Sequence, residues 1–290
     1  MISAGDDHFL ILTSEGKLFG KGDNQKGQLG LGQLIKHQDK FVPISLEGLE
    51  KDETFVRIGA GFDSSLALSS KDRVFGCGVN FFGQLGLGDI RSRYTFTLIT
   101  IEGLGKDEII ADFCIKNHTL LLTSKGSLFG SGSNCSYQLG LSDNNNHNRS
   151  RFAPITIKDL EKEAFVKIGA GELNTFALSA NGKLYGCGDN TFGQLGLGDK
   201  KKRPTLTEVT INGLKVNEIP ESIYTGMYFV LIETSMGHWG CGENGNGQLG
   251  LGHTNDTTTF TPCLFLPHRS SVFENNQSHD EQNLSSGYRI

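Results

Sequence analysis

The residues of this chain able to do chemistry are few in kind. Glycines at 240, 242 and 245 spell Gly-x-Gly-x-x-Gly, the spacing that lets backbone amides close on a dinucleotide pyrophosphate. That chemistry needs a helix N-terminus behind the turn to hold the anion. Here a strand-like run and a Gly-rich turn surround the motif, and the sister segments break it, so no dinucleotide is expected. Six cysteines are present without a Cys-x-x-Cys; Cys77, Cys187 and Cys241 recur at one repeat position. They are expected to be reduced, small packing residues rather than metal ligands. There is no Walker loop, no His-Glu-x-x-His and no Gly-x-Ser-x-Gly elbow. The sequence therefore assigns no catalytic residue, no cofactor and no metal. Asn117-His-Thr and Asn148-Arg-Ser have the form of glycosylation sequons and are expected to be idle without a secretory signal.

One charged run stands out. Lys200, Lys201, Lys202 and Arg203 follow each other between Asp199 and Pro204. Such a run suits a nuclear import signal or a phosphate-binding patch, and equally a solvated loop.

The elements that must position these residues are set by repetition. Gly-Gln-Leu-Gly-Leu-Gly stands at 27–32, 83–88, 193–198 and 247–252, with Tyr-Gln-Leu-Gly-Leu-Ser at 137–142. The glutamines Gln28, Gln84, Gln138, Gln194 and Gln248 are spaced by 56, 54, 56 and 54 residues. Upstream of each lies Gly-x-Gly-x-Asn, ending at Asn24, Asn80, Asn134, Asn190 and Asn244. The glutamines are expected to be structural, since a buried amide can satisfy backbone groups that no strand pairing serves.

Each unit reads as four short strands; in the fourth unit these are 183–188, 207–211, 222–226 and 228–232. Aromatic and β-branched residues dominate, and no apolar stripe of helical period appears. Tight turns such as Ser-Ala-Asn-Gly at 179–182 join the fourth strand to the next first strand, with Asp72 replacing glycine in the second copy. Four-stranded units repeated about an axis make an all-β fold, a β-propeller of about 20 strands.

Composition agrees. Of 290 residues 20% are charged and 37% apolar, a globular balance. Net charge is −5, so total charge gives no case for nucleic acid. The apolar runs are too short to span a membrane as a helix, and the first residues lack the form of a signal peptide, which predicts an intracellular protein, cytoplasmic or nuclear.

These motifs resemble the regulator of chromosome condensation family, whose repeat runs Gly-x-Leu-Tyr-x-x-Gly-x-Asn-x-x-Gly-Gln-Leu-Gly-Leu-Gly-Asp and continues to Gly-x-x-His before an apolar strand. The match covers residues 2–265. Trp239 is the one tryptophan at the family's Trp-Gly position, and the Gly-x-x-His histidine is His8, with Asp63, Asn174 and Phe229 at or beside the matching place elsewhere. Residues 1–267 are expected to form the propeller and 268–290 a polar, disordered tail. Reading the chain as opening in a third strand and ending in a second predicts four whole blades and one split between the two ends. That arrangement would close a five-bladed ring; the resemblance implies seven blades, of which this chain would be a part.

Because successive turns alternate between the two ends of a blade, the loops sort by face. First-to-second loops carry ten basic residues: Lys36, Lys40, Arg91, Arg93, Arg149, Arg151, Lys200, Lys201, Lys202 and Arg203. Second-to-third loops carry twelve acidic ones, among them Glu47, Glu53, Glu108, Asp159, Glu161 and Glu218. The expected result is a disc with a basic partner-binding face and an acidic one, since local potential steers partners. The resemblance implies a non-catalytic module for protein partners in small-GTPase, trafficking or ubiquitin pathways, with an anionic surface such as chromatin or phospholipid possible on the basic face. The alternative it implies is guanine-nucleotide exchange on a Ran-like small GTPase acting with chromatin. A photoreceptor of the same family would need clustered tryptophans.

Overall fold

A computed structural model describes residues 1–46, 48–141, 145–156 and 163–264. Their secondary structure is all β, in five four-stranded antiparallel meanders. Blade one is β1 (Ile2–Ala4), β2 (His8–Leu12), β3 (Leu18–Asp23) and β4 (His37–Pro43). Blade two is β5 (Phe55–Ala60), β6 (Ser64–Ser69), β7 (Val74–Gly78) and β8 (Arg93–Ile99). Blade three is β9 (Ile110–Ile115), β10 (His118–Thr123), β11 (Leu128–Gly132) and β12 (Arg149–Ile155). Blade four is β13 (Phe165–Ala170), β14 (Asn174–Ser179), β15 (Leu184–Gly188) and β16 (Arg203–Val209). Blade five is β17 (Pro220–Thr225), β18 (Phe229–Thr234), β19 (Gly237–Gly242) and β20 (Thr257–Pro262). The tail at 268–290 lies outside the described residues.

The blade boundaries differ from the sequence expectation by half a repeat. No blade is split: the two N-terminal strands pair with β3 and β4, and the two C-terminal strands with β17 and β18. The physical reason lies in connection length. The short turns before β3, β7, β11 and β15 are hairpins, and hairpins join neighbours within one sheet. Asp72 takes φ 59° at its turn, as the sequence anticipated. The connections at 44–54, 100–109, 156–164 and 210–219 cross between blades, whereas the longer loops at 24–36, 79–92 and 189–202 fold back and stay within one.

The core lies between blades rather than within them. Leu10, Leu12, Leu18 and Leu29 of blade one pack with Phe55, Ile58, Phe75 and Phe96 of blade two. The same kind of cluster joins each later pair. The second and third strands of blades two to four are buried at every residue, whereas the outermost strand of blade two buries only Phe96 and Ile99.

Each junction closes on one glycine. A Cβ built on Gly30 would lie 2.5 Å from Phe96, on Gly86 2.2 Å from Phe152, and on Gly196 2.5 Å from Phe260. At these three junctions the ring of the next blade's outermost strand fills the space a side chain would take; at Gly140 Cys187 Sγ, 2.8 Å from such a Cβ, and Leu206 fill it instead. Gly250, the fifth copy, meets nothing within 4 Å among the described residues. At the other end Phe41 holds the place of Phe96 in blade one's strand register and is 43% exposed.

Candidate interaction face

The loop from third to fourth strand folds back between two blades, and the repeat motif is what folds it. Asn24, Asn80, Asn134, Asn190 and Asn244 accept on Oδ1 from the backbone N–H five residues on, at 2.8–3.0 Å. Their Nδ2 groups donate to carbonyls at the loop's far end, as Asn190 does to Asp199 at 2.9 Å. The glutamine beside them closes the near end. Oε1 of Gln28, Gln84, Gln138, Gln194 and Gln248 accepts from the backbone N–H two residues earlier. Nε2 of Gln194 donates to Asp189, and Nε2 of Gln28 to Asp23. With its own polar groups satisfied in this way, the loop holds its tip in one place.

A second set of bonds crosses between blades. Ser65 Oγ donates to the carbonyl of Gln28, Thr119 Oγ1 to Gln84 and Thr175 Oγ1 to Gln138. His8 Nε2 meets Ser65 Oγ, and His118 Nε2 meets Thr175 Oγ1, both at 2.8 Å. Cys77, Cys187 and Cys241 are buried with Sγ 3.3–3.6 Å from the carbonyls of Gln28, Gln138 and Gln194, and burial pushes their thiols up. By strand register the five equivalent positions are His8, Ser64, His118, Asn174 and Phe229. Asp63 stands beside the equivalent position, Ser64, as the sequence allows; His118 is not marked in the sequence, because no glycine stands three residues before it. Its pairing with Gly132 repeats that of His8 with Gly22, which spacing back from the Gly-x-Gly motif would have shown.

The face bearing these loops also carries the turns after the innermost strands. There Lys26 Nζ reaches Asp63 at 2.6 Å, Lys116 Nζ lies 5.2 Å over Phe62, and the rings of Phe192 and Tyr228 sit 4.8 Å apart. Asp6, Asp7 and Glu172 occupy the same turns. The face is therefore not uniformly basic: its inner turns are largely acidic, and its positive charge lies toward the outermost strands.

Much of that positive charge is already engaged. Arg93 bonds Asp89 and the Arg91 carbonyl, and Arg203 bonds Asp199 and the Lys201 carbonyl. Both are staples of their own loop; an aspartate four residues before each arginine was the signal for it. Arg149 donates to the His147 carbonyl, and Arg151 pairs with Glu102 at 3.1 Å. Lys202 bridges to Ser136 in blade three and Asp189 in its own blade. Arg91, Lys200 and Lys201 are exposed, with no side-chain partner among the described residues. Phe81 and Phe82 project from the loop tip of blade two, 65% and 38% exposed.

The opposite face loses acidity in the same way. Glu53, Glu108 and Glu218 turn inward, each accepting from the backbone N–H three residues earlier. Hydrogen bonding by Arg73 pulls the Glu53 carboxyl down to about 2. Glu218 also accepts from Trp239 Nε1 and Thr234 Oγ1. Glu47, Asp159 and Glu161 lie outside the described residues. Among the described residues no helix is long and apolar enough to cross a membrane.

Models of the Regulator of chromosome condensation (RCC1) repeat match residues 2–28, 55–84 and 165–194 in one form, and 125–178 and 181–220 in another. The chain is 32% identical over 259 residues to the ultraviolet-B receptor UVR8 of Arabidopsis thaliana, covering 88% of this chain and 55% of that protein. It is 33% identical to the probable E3 ubiquitin-protein ligase HERC6 of Homo sapiens, covering 79% of this chain and 22% of that one. The chain thus spans about half or less of the curated relatives it matches. In fold it is similar to human WBSCR16 (TM-score 0.78, 21% identity, 91% of this chain and 66% of that one). It is also similar to yeast RCC1 (Prp20) bound to Kap60 (TM-score 0.75, 21% identity, 92% and 63%). With the repeat models matching five segments and the same motif closing all five blades, this chain belongs to the regulator of chromosome condensation (RCC1) repeat family of β-propellers.

Proposed function

We propose that this chain is a non-catalytic interaction propeller, a scaffold or regulator that holds partner proteins on the face built by its third-to-fourth-strand loops. The observation that carries this reading is the division of labour within those loops. Asparagine, glutamine and arginine side chains are spent on holding each loop, while Phe81, Phe82, Arg91, Lys200 and Lys201 are held out to solvent. Exposed aromatic residues and cations on a rigid frame suit binding hot spots. The names of relatives support a ubiquitin context, since HERC6 and HERC4 are probable E3 ubiquitin-protein ligases, and yeast RCC1, solved bound to Kap60, supports a protein-binding role; the small-GTPase context follows from the family alone. Lys200, Lys201 and Arg91 form the part of the basic series available to an anionic partner, whether chromatin or phospholipid.

The test is capture of partners from lysate by the parent and by two variants, Phe81→Ser with Phe82→Ser and Lys200→Ser with Lys201→Ser. At least one variant is expected to lose partners that the parent retains, with unchanged melting. Capture identical in all three overturns the assignment of this face. Recovery of a Ran-type GTPase stripped of nucleotide would replace the scaffold reading with nucleotide exchange.

A further inference from the structure

The junction between blades four and five differs from the earlier ones in a way that points outward. In blades one and three a histidine reaches a hydroxyl of the following blade; here Asn174 takes the histidine's place and Val230 the hydroxyl's. Asn174 is fully buried, and neither side-chain polar atom has a hydrogen-bond partner among the described residues. Its Oδ1 lies directly beneath Gly171, the first residue of the turn that carries Glu172. Oε2 of Glu172 is likewise buried and unpartnered. Burial and the nearby Asp6 carboxylate raise the Glu172 carboxyl, with Lys116 opposing. The turn abuts the carbonyl of Gly226, at the start of blade five's turn, where Met227 is 52% exposed and Tyr228 packs against Phe192. An acidic pair, Asp6 and Glu172, thus adjoins the exposed Met227 and the half-buried rings of Phe192 and Tyr228.

We infer that this junction is a docking surface for a cationic segment of a partner protein: an arginine or lysine set against Glu172 and Asp6, with apolar neighbours resting on Met227, Tyr228 and Phe192. The inference rests on the reading of this face as an interaction face and names the chemistry of its partner. A carboxylate is acceptor-only when ionised, so it calls for a donor, and guanidinium supplies two in one plane. The ring faces of Phe192 and Tyr228 favour a cation and its aliphatic stem over an anion. An acidic segment would meet Asp6 and Glu172 as like charges.

The test is fluorescence anisotropy of the full chain with a labelled ten-residue peptide alternating leucine and arginine, against the same peptide with glutamate for arginine. The arginine peptide is expected to bind saturably and the glutamate peptide not to bind. Glu172→Gln and Met227→Ser should each weaken binding about tenfold, a shift of about 1.4 kcal/mol. Glu15→Gln, on the opposite face, should leave it unchanged, and melting temperatures should confirm that all three variants fold. Absence of saturable binding overturns the inference, as does parental affinity in Glu172→Gln. Equal weakening by Glu15→Gln also overturns it, because the attraction would then belong to the protein's net charge. Loss of this site alone leaves the interaction reading standing, since that reading is tested separately at Phe81, Phe82, Lys200 and Lys201.

Discussion

Nε2 of His118 lies 2.8 Å from Oγ1 of Thr175 in the next blade, and Thr175 passes its own proton 2.6 Å back to the carbonyl of Gln138. A hydroxyl that donates to a carbonyl must accept from the ring, so His118 carries its proton on Nε2 and is neutral. Burial pushes its pKa down to about 3; for His8, bonded to Ser65 in the same way, burial outweighs nearby carboxylates and the value is about 4.

Acid should therefore loosen the propeller. Above pH 6.5 both folded and unfolded chains hold these rings neutral. Below it the unfolded chain takes up protons that the folded chain refuses until about pH 4 at His8 and about pH 3 at His118. Stability should fall by about 1.4 kcal/mol per pH unit for each histidine across that window. Urea midpoints at pH 7 and pH 5 measure this. His118→Gln should be less stable at pH 7 yet show a shallower pH slope; an unchanged slope would exclude His118 as a source.

Gly86 and Gly250 offer a matched comparison. Both have positive φ, 67° and 64°, but an added Cβ at Gly86 meets Phe152 and at Gly250 meets nothing among the described residues. Gly250→Ala should cost about 1 kcal/mol for backbone strain alone. Gly86→Ala should cost about 2–4 kcal/mol, because the Phe152 ring must shift as well. Equal losses in urea unfolding would refute the knob-and-glycine account of the junction.

Glu218 should matter more than an exposed acidic loop residue. Burial alone would raise its carboxyl, but bonds from Thr234, Lys215 and Trp239 outweigh burial and hold it below the usual value. Glu218→Ala strands the Trp239 N–H, while the Thr234 hydroxyl keeps the Gly237 carbonyl as acceptor, and should cost about 1–3 kcal/mol. Trp239 is the sole tryptophan, so its emission reports the change directly. A red shift is expected, and parental emission with parental stability would show that the bonds are dispensable.

The basic run should divide by residue. Arg203→Ser removes two bonds that fasten its loop and should cost about 1 kcal/mol, while Lys200→Ser should stay within about 0.5 kcal/mol. Thermal melts of both variants decide it, and identical melts would make Arg203 as much a solvated charge as its neighbours.

Periodicity made much of this molecule legible. Five glutamines at near-constant spacing announce five units, and aromatic and β-branched runs announce four strands in each. Blade phase was harder, because a closed cycle of four strands has no first member until hairpins are told from crossings. Only the short turns announce themselves as hairpins: the crossing at 44–54 is shorter than the loop at 24–36 that stays within blade one, so length alone does not mark it. The charge of a face was harder still. Counting treated Arg203 and Lys200 alike, although one is folded onto Asp199 and the other is not. The acidic inner turns escaped notice because Asp6 and Glu172 are far apart in sequence and share a face only through the fold.

The vacant place at Gly250 has a bearing on how the molecule opens. In a row of like units, each stabilised chiefly by its neighbours, a unit packed on one side opens more readily than one packed on both. Among the described residues blade five packs its Phe260 into Gly196 but receives no ring at Gly250, so in this chain its amides should exchange faster than those of blade three. The docking surface at Glu172 and Met227 straddles the seam between blades four and five. A ligand bound across it would hold the two blades together, so occupancy on the loop face would be felt as slower exchange throughout β17 to β20.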